Sequence, residues 1–236
     1  MARGSSALHK KPASEQLHGR QRGKKLRAVQ SGLVRDLLPR LALPAGKEPL
    51  DPASLFDFSP AELVMEIGFG GGEHLADEAS NHPDIGYIGC EPFVNGVAKL
   101  LARVETDGLR NIRVHNGNAL HALSRLPDAS LARIDLLYPD PWPKWRHRKR
   151  RFVSMESLAS MARVIRPGGA LHFATDIDDY AGWMLARARL IPAFRWRAEK
   201  SSDWLTPWAG WRPTRYEEKA RREGRTSVYL TLERVK

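Results

Sequence analysis

The sequence predicts an α/β protein with a doubly wound, mostly parallel sheet and an antiparallel hairpin at its C-terminal end. Three observations carry this. Short apolar runs alternate with helix-period segments from about residue 60 to 190, the pattern of a parallel sheet covered by helices on both faces. The first run ends in Gly68-Phe69-Gly70-Gly71-Gly72 ahead of a helix, a strand-to-helix turn common in such folds. The last two apolar runs have no helix between them, so they pair antiparallel.

Residues 1–25 are basic and rich in Gly and Ser, and are expected to form a mobile arm ahead of a single domain over 26–236. Leu33, Val34, Leu37, Leu38 and Leu41 recur at helical spacing, predicting a helix over 27–43. Pro and Gly in 44–60 then lead into the alternating part. Strands are expected at 63–67, 85–90, 112–115, 132–137 and 170–174, the fourth apolar enough to be buried on both faces. Helices are expected at 73–80, 94–106, 153–165 and 178–190, the third stopped by Arg166-Pro167-Gly168-Gly169. Strands at 195–200 and 226–233, separated by a Trp- and Pro-rich loop, close the sheet.

At 236 residues the chain suits one full-cored domain. Its net charge is +11, and residues 1–47 contribute +9 of it. Such concentration points to a polyanionic partner more than to solubility. Cys90 is the only cysteine, which excludes a disulfide framework or a cysteine-built zinc site within the chain. His115 and His121 lack ligand spacing, so no metal is expected. No apolar run approaches the length of a membrane span, and the basic N-terminus lacks a signal peptide's apolar centre. A soluble, cytoplasmic protein is expected.

The glycine turn lets the backbone bend tightly and admits a ligand at close range. Glu91 ends the second strand about twenty residues on, where a carboxylate can hold both hydroxyls of an adenosine ribose. That placement suits a dinucleotide or S-adenosylmethionine. Three residues after Gly70 a dinucleotide fold wants Gly or Ala; Glu73 is a bulky anion where phosphates would sit. Glu66-x-Gly68-x-Gly70-x-Gly72 instead resembles the first motif of S-adenosylmethionine-dependent methyltransferases, whose donor carries no phosphate. Asn118, after the third strand, matches the Asp or Asn that meets adenine in that superfamily, though it reads equally as a polar turn residue.

The fourth strand ends in Tyr138-Pro139-Asp140-Pro141-Trp142-Pro143, at the edge where doubly wound sheets bind ligands. Proline fixes its own φ and restricts its predecessor, so Asp140 is stiffened from both sides. A Pro-rich turn capped by Asp is the plainer reading. The stretch also resembles the Asp/Asn-Pro-Pro-aromatic motif of amino-methyltransferases acting on adenine or cytosine. An ionised carboxylate only accepts hydrogen bonds. Guanine's N1–H and 2-amino group suit it, and guanine N7 already has a free lone pair. Asp140 is therefore expected to orient and stabilise rather than act as an obligatory base. Trp142 and Trp145 suit either base stacking or the core. Lys144, Arg146, Arg148, Lys149, Arg150 and Arg151 repel one another until a polyphosphate arrives.

Glu66–Gly70, Gly89-Cys90-Glu91-Pro92, Pro139–Lys144, Ala174-Thr175-Asp176 and Thr214-Arg215-Tyr216-Glu217 together resemble the bacterial tRNA (guanine-N7-)-methyltransferases, from about residue 60 to the C-terminus. Gly19-Arg20-Gln21-Arg22-Gly23-Lys24 is similar to that family's basic arm. The resemblance implies a Rossmann-like class I methyltransferase that moves a methyl group from S-adenosylmethionine to the variable-loop guanine at tRNA position 46. Glu66, Gly68, Gly70, Glu91, Asn118 and Asp140 would line the cofactor pocket, with Asp140 the catalytic carboxylate. Lys144, Asp176, Thr214, Arg215, Tyr216 and Glu217 would hold the tRNA and its guanine, and Arg146, His147, Arg148, Lys149, Arg150 and Arg151 its backbone. Many relatives carry Asp where this chain has Asn118, which implies altered affinity rather than lost function. From the residues alone, Asp176 reads equally as a helix cap, and the 203–217 loop as a packed Trp cluster or a base contact. An adenine amino-methyltransferase and a non-catalytic RNA-binding protein on the same fold stay open as alternatives.

Overall fold

A computed structural model of the chain describes residues 17–19 and 21–236. Arg3, Lys10, Lys11 and Arg20 of the expected arm lie outside the described residues. Seven strands form one sheet in the order β3-β2-β1-β4-β5-β7-β6. They are β1 (Glu62–Ile67), β2 (Ile85–Cys90), β3 (Ile112–His115), β4 (Leu131–Leu137), β5 (Ile165–Thr175), β6 (Phe194–Trp196) and β7 (Val228–Arg234). The pairs among β1 to β5 are parallel, whereas β7 runs antiparallel to both β5 and β6. Chain order reverses between β1 and β4, which sets the topological switch point there.

The helices are α1 (Ala28–Asp36), α2 (Leu38–Leu41), α3 (Glu73–Asn81), α4 (Val94–Asp107), α5 (Ala119–Arg125), α6 (Met155–Val164), α7 (Asp178–Ala188), α8 (Ser202–Leu205) and α9 (Arg215–Arg222). None of the described residues forms a helix long and apolar enough to cross a membrane. One face of the sheet buries Met65, Ile67, Ile134, Leu136, Leu171 and Phe173 under α5, α6 and α7. The other buries Val64, Tyr87 and Val114 under α1, α3 and α4.

The expected helix over 27–43 divides at Leu37, because Pro39 falls in the first turn of α2. Arg166-Pro167-Gly168-Gly169 does not break the chain into a loop. It lies within β5, where the pairing with β4 jumps from Leu131↔Ile165 to Arg133↔Ala170. The strand expected over 195–200 shortens to β6. Three helices lie outside the expected set: α5, α8 and α9. Asn118 caps α5 by accepting from Leu120 N at 3.1 Å, and Thr214 caps α9 by accepting from Glu217 N at 3.2 Å.

β4 departs from the expectation of apolar burial on both faces. Ile134 and Leu136 enter the main core, but Arg133 and Asp135 alternate onto the opposite face. There Arg133 bonds Asp135 at 3.0 Å and Glu78 at 2.6 Å, and His172 lies 3.2 Å from Asp135. The indoles of Trp208 and Trp211 cover this polar layer. Trp208 stacks on His172 at 4.0 Å, and Trp211 meets His74 at 5.4 Å.

Candidate functional site

The C-terminal ends of β1, β2 and β4 open into a cavity of about 740 Å³. The glycine turn forms one wall, with Gly68, Gly70 and Gly72 at φ of 77°, 58° and 78°, in the left-handed region that favours glycine. The first turn of α4 presses against it: a Cβ added to Gly96 would lie 1.9 Å from the Gly70 carbonyl oxygen.

Glu91 is buried beside this wall. Its two carboxylate oxygens accept from Gly70 N at 2.7 Å and Phe93 N at 2.8 Å. Burial raises its pKa, and the two backbone N–H groups work against that shift. Each oxygen keeps a lone pair for a ligand hydroxyl. Asn118 lines the same cavity and caps α5.

Asp140 stands at the mouth, on a turn pinned from both ends. Tyr138 and Trp142 flank the Pro-Asp-Pro unit at φ of 48° and 40°, where side chains larger than glycine's are strained. The Tyr138 amide donates to the Ala174 carbonyl at 2.8 Å and its hydroxyl to Ser227 Oγ at 2.9 Å. The Pro141 carbonyl accepts from Arg151 Nε at 2.7 Å. Although the residue meets solvent, burial of the carboxylate against the cavity pushes its pKa above the ordinary value.

Glu66, expected at the cofactor, lies elsewhere. Ile67 lines the cavity, and alternation along β1 turns Glu66 to the other face. It is buried there, with Oε2 2.9 Å from His74 Nδ1. Burial alone would lower the His74 pKa, but the Glu66 carboxylate outweighs it and lifts the imidazole to about 9. Burial raises Glu66 against the opposing pull of the imidazolium.

The basic run folds as a 3-10 helix, Trp145–Arg150, and its charges divide by role. Lys144, Arg146 and Lys149 are exposed, and Lys149 and Arg150 line the cavity. Trp145 is 79% exposed, with the Arg148 guanidinium 4.9 Å from its ring centroid. Trp142 lies edge-on to His147 at 6.0 Å, and the Arg150 guanidinium sits 5.0 Å from its indole. Arg148 pairs with Asp179 at 2.7 Å. Arg151 was expected on RNA backbone, yet its side chain is wholly buried.

Thr214 to Glu217 divide likewise. Arg215 and Tyr216 line the cavity; Arg215 Nη2 donates to the Tyr216 hydroxyl at 3.1 Å, and the Tyr216 ring lies near-parallel to Tyr138 at 6.4 Å. Thr214 caps α9. Glu217, expected at substrate, is buried, accepting from Trp211 Nε1 at 2.7 Å and Arg221 Nη2 at 2.9 Å. Asp176 accepts from Arg225 Nε at 2.7 Å and does not cap α7. The 203–217 loop is thus a packed Trp cluster that presents two side chains to the cavity.

The sequence reading missed other lining residues. Leu17 and His18 reach the mouth, and a Cβ at Gly19 would sit 3.2 Å from Asp140 Oδ2. The described part of the arm is tied down there: Gly23 N donates to Asn95 Oδ1 at 2.7 Å, Asn95 Nδ2 to the Lys24 carbonyl at 2.7 Å, and Val94 N to the Gln21 carbonyl at 3.1 Å. Composition alone gives no sign of this docking. Met155 and Glu156, at the start of α6, also line the cavity, and only their place just beyond the basic run hints at it.

A family model described as a putative methyltransferase matches residues 60–230. A tRNA (guanine-N(7)-)-methyltransferase of Nitrobacter hamburgensis is 53% identical over 217 residues, covering 92% of this chain and 85% of that protein. One of Rhizobium etli is 52% identical over 224 residues, covering 94% of this chain and 97% of that protein. Among solved structures, the 16S rRNA methyltransferase KamB aligns at TM-score 0.54 and 19% identity, over 75% of this chain and 89% of that one. TrmN from Thermus thermophilus aligns at 0.53 and 17%, over 78% and 47%. These two share the fold.

Proposed function

The chain belongs to the tRNA (guanine-N(7)-)-methyltransferase family, and from that membership we propose which of its residues carry the reaction. It transfers a methyl group from S-adenosylmethionine to N7 of a guanine in tRNA. The cavity suits the donor: a carboxylate at the end of β2, a glycine wall and the Asn118 amide side chain line it together. Bound there, the donor supplies an electrophilic methyl on a sulfonium.

Glu91 accepts the ribose hydroxyls, Asn118 meets the adenine edge, and Gly68 and Gly70 let the backbone come close. Asp140 accepts N1–H and the 2-amino group of guanine and turns N7 towards the methyl. Positioning supplies most of the rate, since N7 needs no proton removed. Tyr216 and Trp142 flank the base, and Lys144, Arg146, His147, Lys149, Arg150 and Arg215 take the phosphates. Residues 26–236 carry catalysis, and the basic arm over 1–25 adds phosphate contacts. The acceptor is the variable-loop guanine at position 46, and the enzyme works in the cytoplasm on tRNA.

The observation that carries these roles is the Asp140 carboxylate, held by a pinned turn at the mouth of the cavity that Glu91 and Gly70 line. Incubation of unmodified tRNA with labelled donor tests the reading. N7-methylguanosine on nucleoside analysis, with borohydride–aniline scission at the variable loop, is the expected result. Label in an adenine would favour amino-group methylation, and tRNA binding without turnover a non-catalytic role.

A further inference from the structure

Six cations crowd the run after the Asp140 turn, and one of them cannot reach a phosphate. The Arg151 side chain is 0% exposed. Burying a charge is costly unless it is paired and hydrogen-bonded, and Arg151 is paired and bonded through Nη2 and Nε, while Nη1 is buried without a hydrogen bond. Its guanidinium carbon lies 4.7 Å from the Tyr180 ring centroid and 4.8 Å from that of Trp183. Its Nη2 pairs with Asp179 Oδ2, while Asp179 Oδ1 takes Arg148 Nη2 at 2.7 Å. The hydrogen bond from Arg151 holds the Asp179 carboxyl below its ordinary range. Both rings are themselves fixed, for Tyr180 is fully buried and Trp183 Nε1 donates to the Val153 carbonyl at 2.8 Å. Nε donates to the Pro141 carbonyl at 2.7 Å, one residue beyond Asp140.

We propose that Arg151 is a positioning residue for methyl transfer: a guanidinium clamped between two rings of α7 that grips the Pro141 carbonyl and so fixes the direction of the Asp140 carboxylate. The inference rests on the role given to Asp140. The turn needs such a grip, because Tyr138 and Trp142 hold it in a strained backbone region that relaxes unless its surroundings prevent it. Tyr138 is held by Ala174 and Ser227 on the entry side. Arg151 supplies the hold on the exit side. Lysine does not replace it, since an ammonium lacks the planar face for the two rings and the fork that spans a carboxylate and a carbonyl. Asp179 therefore ties the basic run to α7 at two points, and the loop that meets RNA is continuous with the turn that orients the base.

The test compares Arg151→Lys, Arg151→Gln, Arg150→Gln and Asp140→Ala in the full chain, with unmodified tRNA transcript and labelled S-adenosylmethionine. A misplaced carboxylate lowers kcat on the order of ten- to a hundredfold, with KM for tRNA within about twofold of wild type. The slope of log Kd for tRNA against log salt stays at the wild-type value in both Arg151 variants, whereas Arg150→Gln makes it shallower by about 0.7 to 0.9, one phosphate's worth. Should the Arg151 variants fail to fold, Asp179→Asn loosens the same guanidinium while keeping its stem buried, and a lowered kcat at unchanged KM is again expected. Wild-type kcat in the folded variants overturns the proposal, and so does a raised KM with a shallower salt slope. Asp140→Ala separates the two layers. If it is inactive while the Arg151 variants turn over normally, only the clamp is lost; if Asp140→Ala is itself active, the reading of the site falls first.

Discussion

Glu91 Oε2 accepts the Gly70 amide at 2.7 Å, so the acid that ends β2 holds the glycine turn that follows β1. One carboxylate thereby shapes the wall of the cavity and lines the space within it. Replacing Glu91 with Ala removes a carboxylate partner from two half-buried amides. Each such bond is worth about 1.5 to 3 kcal/mol. Calorimetry with S-adenosylmethionine is expected to show affinity at least tenfold weaker, and unchanged affinity would displace the donor from this cavity.

Gly96 tests the same wall from the opposite side. A methyl group there overlaps the Gly70 carbonyl oxygen, so either α4 or the glycine turn has to move. Overpacking of this kind costs about 1 to 3 kcal/mol. Gly96→Ala is expected to lower the melting temperature and to abolish donor-induced stabilisation in thermal unfolding. Retained donor stabilisation would mean that the turn is not the cofactor wall.

Asp140→Ala is expected to lower kcat by about a hundredfold or more, the scale of losing one preorganised polar group, while Kd for tRNA stays within about twofold. The pH profile gives a second measure. Burial raises the Asp140 pKa, so the carboxylate is protonated, and activity lost, at a pH above its ordinary 3.8. Activity therefore falls on acidification, and Asp140→Asn removes that limb from whatever rate remains. A limb that persists in the Asn variant belongs to another group.

His74 and Glu66 predict a pH-dependent stability. The folded-state pKa of His74 is raised from 6.5 to about 9, so its proton is bound more tightly in the folded chain. This contribution is complete below pH 6.5 and is lost as pH rises through about 9. Removing one partner of a buried pair costs about 3 to 5 kcal/mol, so His74→Ala is expected to unfold at clearly lower urea at pH 6 and by a smaller margin at pH 9.5. An equal margin at both values would show that the pair is not ionised.

The cations of the 144–151 run are expected to set the salt response. Arg148 and Arg151 are spoken for by Asp179, which leaves Lys144, Arg146, Lys149 and Arg150. Neutralising those four together is expected to make the slope of log Kd against log salt shallower by about 2.8 to 3.6. A filter-binding series from low to moderate salt measures it, and an unchanged slope would place the phosphates on another surface.

Much of the site was legible because its signals are local. The glycine turn, Glu91 at the end of β2 and Asp140 between two prolines each declare a backbone shape within a few residues. Strand alternation then determines which neighbours share the site, and it carries Glu66 away from the cavity while Ile67 stays. Arg151 carries the charge expected of a phosphate contact and Glu217 lies in a segment whose resemblance implied tRNA contact, yet both are buried, because Trp211 closes over Glu217 and the rings of Tyr180 and Trp183 over Arg151. Helix α9 has no apolar period for a sequence reading to find, since Thr214, Ala220 and Glu217 anchor it through a cap and burial.

By itself the sequence determined the α/β class, the strand edge where the cavity opens and two of the carboxylates that line it, for these follow from periodicity and from the fixed torsions of Pro and Gly. Only the tertiary structure decided which charges line the cavity and which hold the scaffold. That division depends on the facing of each side chain, set by sheet register and by aromatic rings brought from residues distant in the chain.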